Sequence, residues 1–151
     1  MNSTLQQIRN DLRTIAERLD AYESKSVSIP GRMITGFDLH PGERHIGTIL
    51  GDDGQGHHII RLPYDRDKRL TWQEAMEYAG QEGAELFDRV EGALLYAKRQ
   101  VDEYEAEYHW TREQHAGDES YAWLQNFGYG NQGSYRKNSK YRVVLVRRIP
   151  V

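Results

Sequence analysis

Leu70–Leu95, LTWQEAMEYAGQEGAELFDRVEGALL, carries two helix starts of one design, and together they set the fold class. The Thr71 side chain is placed to accept from the backbone of Glu74, while Glu74 reaches back to the Thr71 amide; this is a capping box. Trp72, Ala75, Met76 and Ala79 then share one face, and Gly80 to Gly83 ends the helix. Asp88 and Glu91 repeat the device. Val90, Leu94, Leu95 and Val101 are expected to face inward from this second helix.

The flanks of these helices read as strands. Upstream lie His45–Leu50 and His57–Leu62, separated by Gly51-Asp52-Asp53-Gly54-Gln55-Gly56. Asp53-Gly54 is a hairpin signal, because both residues tolerate the positive φ of a tight reversal. The loop lacks the alternating oxygen ligands and closing Glu of a calcium-binding loop. Downstream, Tyr108–Thr111, Tyr121–Phe127 and Tyr141–Arg148 have strand character, with Gly128-Tyr129-Gly130-Asn131-Gln132-Gly133 as a loop. Strands, then two helices, then strands predicts an α+β domain whose helices cover one side of an antiparallel sheet.

The N-terminus is organised differently. Leu5, Ile8, Leu12, Ile15, Leu19 and Tyr22 recur at alternating spacings of three and four, a heptad seam on an otherwise polar helix. Arg18 and Glu23 are placed for an interhelical pair. Leu at a with Ile at d favours a trimer over a tetramer or dimer. The expected organisation is a coiled-coil oligomerisation helix over 1–24, a linker over 25–37 around Ile29-Pro30-Gly31, and a domain over 38–151.

Charge and composition narrow the function. The net charge is −3 and there is no cysteine, which excludes disulfides and thiolate zinc sites. Acids dominate from Glu77 to Glu119, whereas from Gln132 onward the only charged residues are Arg136, Lys137, Lys140, Arg142, Arg147 and Arg148. Basic strands folding beside the protein's own acids account for that split, so nucleic acid is not an expected partner. No run has the length of a membrane span and no signal pattern opens the chain. The simplest expected location is the cytoplasm of a producing cell, with a non-Sec route outward left open.

Six histidines, His40, His45, His57, His58, His109 and His115, invite a metal reading. Adjacent His57 and His58 point to opposite faces of a strand, and no His-x-x-x-His spacing occurs, so neither a metal nor another cofactor is expected. His109, Thr111 and Glu113 share one strand face without a nucleophile elbow, so no catalytic residue is assigned. Trp110 and Trp123 are expected in the core. The remaining aromatic and amide residues of the C-terminal region suit sugar rings or protein surfaces. The expected binding residues are Tyr129, Asn131, Gln132, Tyr135, Arg136 and Asn138, in or beside the glycine-rich loop.

From about Asp38 to Ile149 the chain resembles the Lcl C-terminal domain family, named for the C-terminus of a collagen-like bacterial adhesin. The carrying residues are His40-Pro41-Gly42-Glu43-Arg44-His45-Ile46-Gly47, Leu70–Ala75, Glu85–Glu91, Tyr108-His109-Trp110-Thr111, Tyr121–Phe127 and Val144–Arg148. Phe87 stands where the family usually has Pro. The resemblance implies a fold like the C-type lectin and formylglycine-generating-enzyme domains, and a setting at adhesin tips or in phage and prophage proteins. It implies no ligand, and the cysteines that serve the enzymatic branch are absent. The resulting expectation is a non-enzymatic, phage-type homotrimer that recognises a host surface glycan or protein. The alternative is an intracellular effector that binds and inhibits a host protein, such as a defence-system component.

Overall fold

A computed structural model describes residues 2–23, 27–29, 32–34 and 38–151, with only the backbone elements described over 16–37. The chain divides into two units, Met1–His40 and Pro41–Val151. The first holds a helix, α1 (Asn2–Glu23), and a two-stranded antiparallel hairpin, β1 (Val27–Ile29) with β2 (Arg32–Ile34). These two strands fall within the segment 25–37 expected as a linker. Along α1 the polar faces are stitched by Gln6–Asn10 and Gln7–Asp11 hydrogen bonds, four residues apart. Leu5, Ile8, Leu12 and Ile15 are each half or more exposed. The seam positions Leu19 and Tyr22 lie outside the residues whose side chains are described.

The second unit is α+β. Its elements are β3 (Arg44–Leu50), β4 (Gly56–Arg61), β5 (Arg69–Leu70), α2 (Trp72–Gln81), β6 (Glu85–Leu86), α3 (Arg89–Ala97), β7 (Tyr108–Gln114), β8 (Tyr121–Asn126), β9 (Gln132–Arg136), β10 (Tyr141–Arg142) and β11 (Leu145–Pro150). Both capping boxes form, at Thr71 with Glu74 and at Asp88 with Glu91. One sheet has the order β3-β4-β11-β6 and the other β5-β10-β7-β8-β9. The stretch read as one strand, Tyr141–Arg148, is in fact two: β10 sits inside one sheet and β11 inside the other. Pairing is antiparallel except between β10 and β7.

Period-two alternation at that switch feeds two cores. Val143 and Leu145 join Ala75, Ala79, Trp110 and Leu124, whereas Val144 and Val146 join Ile59, Phe87, Leu95 and Phe127. The helices therefore lie on opposite faces of the five-stranded sheet, α2 over Trp110 and Leu124 and α3 over the other face. This corrects the one-sided arrangement expected from sequence. Gly92 allows the close approach of α3, since a Cβ there would lie 2.9 Å from the Phe87 ring and 3.3 Å from the Gln125 amide oxygen. Two residues expected inward are outside: Val90 is exposed on α3 and Val101 lies beyond the helix at 93% exposure.

Buried charges are paired. Glu91, fully buried, caps its own helix through the Asp88 amide at 2.8 Å and accepts from Arg148 at 2.6 and 2.7 Å, with His57 Nε2 at 2.8 Å. Burial alone would raise its pKa, but the Arg148, Asp88 and His57 hydrogen bonds and the Arg148 charge together hold it below the ordinary value. Glu103 is treated the same way by Arg44 and Arg61.

His109 is the other titratable group built into the interior. Burial pushes its pKa down to about 3. Its Nδ1 lies 2.9 Å from the Glu107 carbonyl and its Nε2 2.7 Å from the Tyr64 hydroxyl, so the neutral ring donates to the carbonyl and accepts from the phenol. Because the folded value lies below the ordinary 6.5, the unfolded chain takes up this proton first. Stability from His109 is therefore complete above about pH 6.5 and lost as pH falls toward 3, at up to about 1.4 kcal/mol per pH unit. Urea titrations across pH should show this slope in the wild type. In His109→Gln it should become shallower, leaving the contribution of His45, whose pKa burial also lowers, and the carboxylate losses that begin at lower pH. An unchanged slope in the variant would assign the effect elsewhere.

Candidate functional site

The glycine-rich segment between β8 and β9 is fixed by its own neighbours. Asn126 Oδ1 accepts from the amides of Gly128 and Tyr129 at 2.7 and 2.8 Å, and its carbonyl accepts from Gly130 at 3.1 Å. Gln125, fully buried, donates from Nε2 to the carbonyls of Asn126 and Gly130. Its Oε1 accepts from Gln132, which also donates to the Arg89 carbonyl and accepts from Arg89 Nε. Gly130 takes φ +83°, and a Cβ there would lie 2.4 Å from the Tyr96 ring. The result is a stiff turn with Tyr129 at its tip, 89% exposed.

The strand that follows divides the expected binding residues between two faces. Tyr135 pairs with Ala122 and Arg136 with Tyr121, so these neighbours point to opposite sides of the sheet. Gln132 is half-buried in the amide network that positions the turn, and it lines a depression of about 580 Å³ with Asp88, Arg89 and Glu113. Arg136 and Asn138 line a depression of about 440 Å³ with Asp118 and Tyr121. Trp123 lies on that same side, half-buried rather than in the core. The Arg89 guanidinium sits 3.6 Å from its ring centre, and His115 stacks on it at 5.4 Å and 22°.

Asn131 and Tyr135 converge on the α2 side with Tyr141 of the same aromatic-rich region and with Tyr108, which sequence reasoning had not grouped with them. Tyr108, Tyr135 and Tyr141 form a triangle with ring centres 5.2, 5.6 and 6.3 Å apart. Asn131 Nδ2 donates to the Tyr108 hydroxyl at 2.8 Å. Beside the triangle a depression of about 320 Å³ is lined by Arg69, Glu107, Tyr108, Lys140 and Tyr141. Glu107, half-exposed, is held by Arg142 at 2.6 Å and Arg69 at 3.1 Å, and the Arg142 hydrogen bond keeps its pKa below the ordinary value. The Tyr135 phenol is raised, first by the hydrogen bond and charge of Tyr108, so its hydroxyl keeps its proton at neutral pH. The signal for this grouping was the i, i+2 spacing of Tyr108 and Trp110, which puts Tyr108 on the core face, half-buried against the cluster that holds Trp110.

The residues weighed for catalysis and metal binding have partners of their own within the fold. His109 is bound to Tyr64 and a carbonyl, the Thr111 hydroxyl accepts from the Glu113 amide, and Glu113 accepts from the Arg89 amide at 2.5 Å. His57 pairs with Glu91 and His58 with Thr48, on opposite faces. Among the described residues no three His, Asp or Glu side chains are close enough to hold a metal ion, and no helix is long and apolar enough to cross a membrane. No protein-family model matches this chain, and no curated protein matches it.

Gln125→Leu should remove the donor to the Gly130 and Asn126 carbonyls and the acceptor for Gln132, although the Asn126 carbonyl keeps the Gly130 amide. The expected cost is about 1–3 kcal/mol. Hydrogen exchange at Gly128, Tyr129 and Gly130 should accelerate beyond what global destabilisation explains. Retained protection at those three amides would mean that Asn126 alone orders the turn.

Proposed function

We propose that this chain is a non-enzymatic binding protein in which an N-terminal coiled coil, trimeric by its seam, carries a lectin-like head that recognises a host surface glycan. The observation that carries this reading is the tyrosine triangle: two half-buried phenol rings and the exposed Tyr135, an amide on one hydroxyl, and a carboxylate held between two arginines at its border. Sugar rings present apolar C–H faces and a rim of hydroxyls. The first suits aromatic faces and the second suits fixed amides, carboxylates and guanidinia. The strand–helix–helix–strand order of the head supports the resemblance to the Lcl C-terminal domain family, and with it the phage or prophage setting. The exposed Leu5, Ile8, Leu12 and Ile15 support the stem.

Two measurements test the two parts. The full chain should sediment as a trimer, and Ile8→Asp with Ile15→Asp should convert it to a monomer with an intact head, because aspartates at d positions cannot be buried without partners. A monomeric wild type would remove the stem from the proposal. On a glycan array the trimer should retain specific hits. Tyr135→Ala with Asn131→Ala should weaken them by tenfold or more per site, about 1.4 kcal/mol or above, with little change in melting temperature. Avidity in the trimer would amplify that loss. Hits unaffected by the double variant would move the site off this face.

A further inference from the structure

The order β5-β10-β7-β8-β9 leaves β9 as an outer strand of its sheet. Its register determines which backbone groups face outward. Asn126 donates to Asn131, and Lys137 donates to Ser120, so bonded pairs alternate through Leu124–Gly133 and Ala122–Tyr135. Gln132, Ser134 and Arg136 therefore direct their N–H groups away from β8. The edge has no proline and no bulge, two of the usual devices that block strand addition.

The charges around this edge are also distinctive. Three of the six C-terminal cations are neutralised within the domain: Arg142 by Glu107, Arg147 by Glu43, and Arg148 by Glu91 and Glu85. Arg136, Lys137 and Lys140 make no ion pair with a carboxylate among the described residues, and all three lie on β9 or the turn that follows it. An added strand would meet Ser134 and Arg136 on one face and Gly133 and Tyr135 on the other. A second copy pairing through its own β9 would set these cations against one another, which disfavours it.

We propose that the β9 edge is a docking site for an extended acidic segment of a partner protein, which adds as a further strand with acidic side chains toward Arg136 and apolar or aromatic ones toward Tyr135. Backbone pairing supplies the attachment and the alternation supplies the selectivity. This edge shares Tyr135 with the tyrosine triangle, but its outward backbone groups and Arg136 lie outside the triangle, and the proposal does not depend on glycan binding.

The test uses the full chain and a fluorescein-labelled decapeptide of alternating Glu and Val, read by anisotropy. Binding is expected, weakening as salt rises. The matching Lys–Val peptide should not bind. N-methylation of alternate peptide amides, which keeps every charge but removes strand donors, should weaken binding about tenfold or more. Ser134→Pro should do the same, because proline is tolerated where a strand N–H faces solvent and here removes no β8–β9 bond. Glycan binding should survive Ser134→Pro, which separates failure at this edge from failure of the tyrosine face. The proposal is overturned if the Glu–Val peptide does not bind, or if it binds equally well when N-methylated. It is also overturned if Ser134→Pro changes the oligomeric state, which would make the edge a contact between copies.

Discussion

Glu91 is the residue on which the head depends most. Its carboxylate is fully buried, yet three elements converge on it: the start of its own helix, Arg148 of β11 and His57 of β4. A buried charge left without partners costs several kcal/mol, so the position of α3 is tied to the four-stranded sheet by more than apolar contact. Arg148 continues the linkage to the Leu86 carbonyl. Gly92, one residue further on, lets the helix settle against Phe87 and Gln125, and Gln125 in turn holds the turn that displays Tyr129. An electrostatic requirement at the helix start thus propagates to the shape of a surface loop.

That chain of contacts bears on how the head could recognise anything. A loop of three glycines would ordinarily lose considerable entropy on binding. Here side-chain amides of Gln125, Asn126 and Gln132 have already fixed it. The aromatic residues around it sit on strands, where their positions follow from register. Recognition would then draw on a surface ordered in advance, with the mobile contribution confined to the exposed tip.

Local rules were legible in the sequence and long-range ones were not. The capping boxes at Thr71 and Asp88 could be read because each involves residues three apart, and the structure contains both. The opposed faces of His57 and His58 followed from strand geometry in the same way. By contrast, nothing local in Tyr141–Arg148 says that the chain leaves one sheet and enters another at Val143–Val144, since both halves are equally apolar. The same limit hid the placement of α2 and α3 on opposite faces, and it left Val90 and Trp123 on the wrong side of the burial boundary. The binding residues were chosen by composition. Composition cannot distinguish Tyr135 from Arg136, but a strand must send them to opposite sides, and the partner Tyr108 comes from a strand far away in sequence.

The interior placement of β10 and β11 has a consequence for synthesis. β10 lies between β5 and β7, and β11 between β4 and β6, so neither sheet is continuous until residues 141–150 have left the ribosome. Until then β3 can pair with β4, β7 with β8 and β8 with β9, but both sheets hold open seams and neither β5 nor β6 has its strand partner. Helix α1, whose hydrogen bonds are all local, can form well before that. A polysome translating this message would carry helical leaders ahead of unfinished heads, and the period of greatest aggregation risk would be set by the time the ribosome takes to travel from β4 to β11.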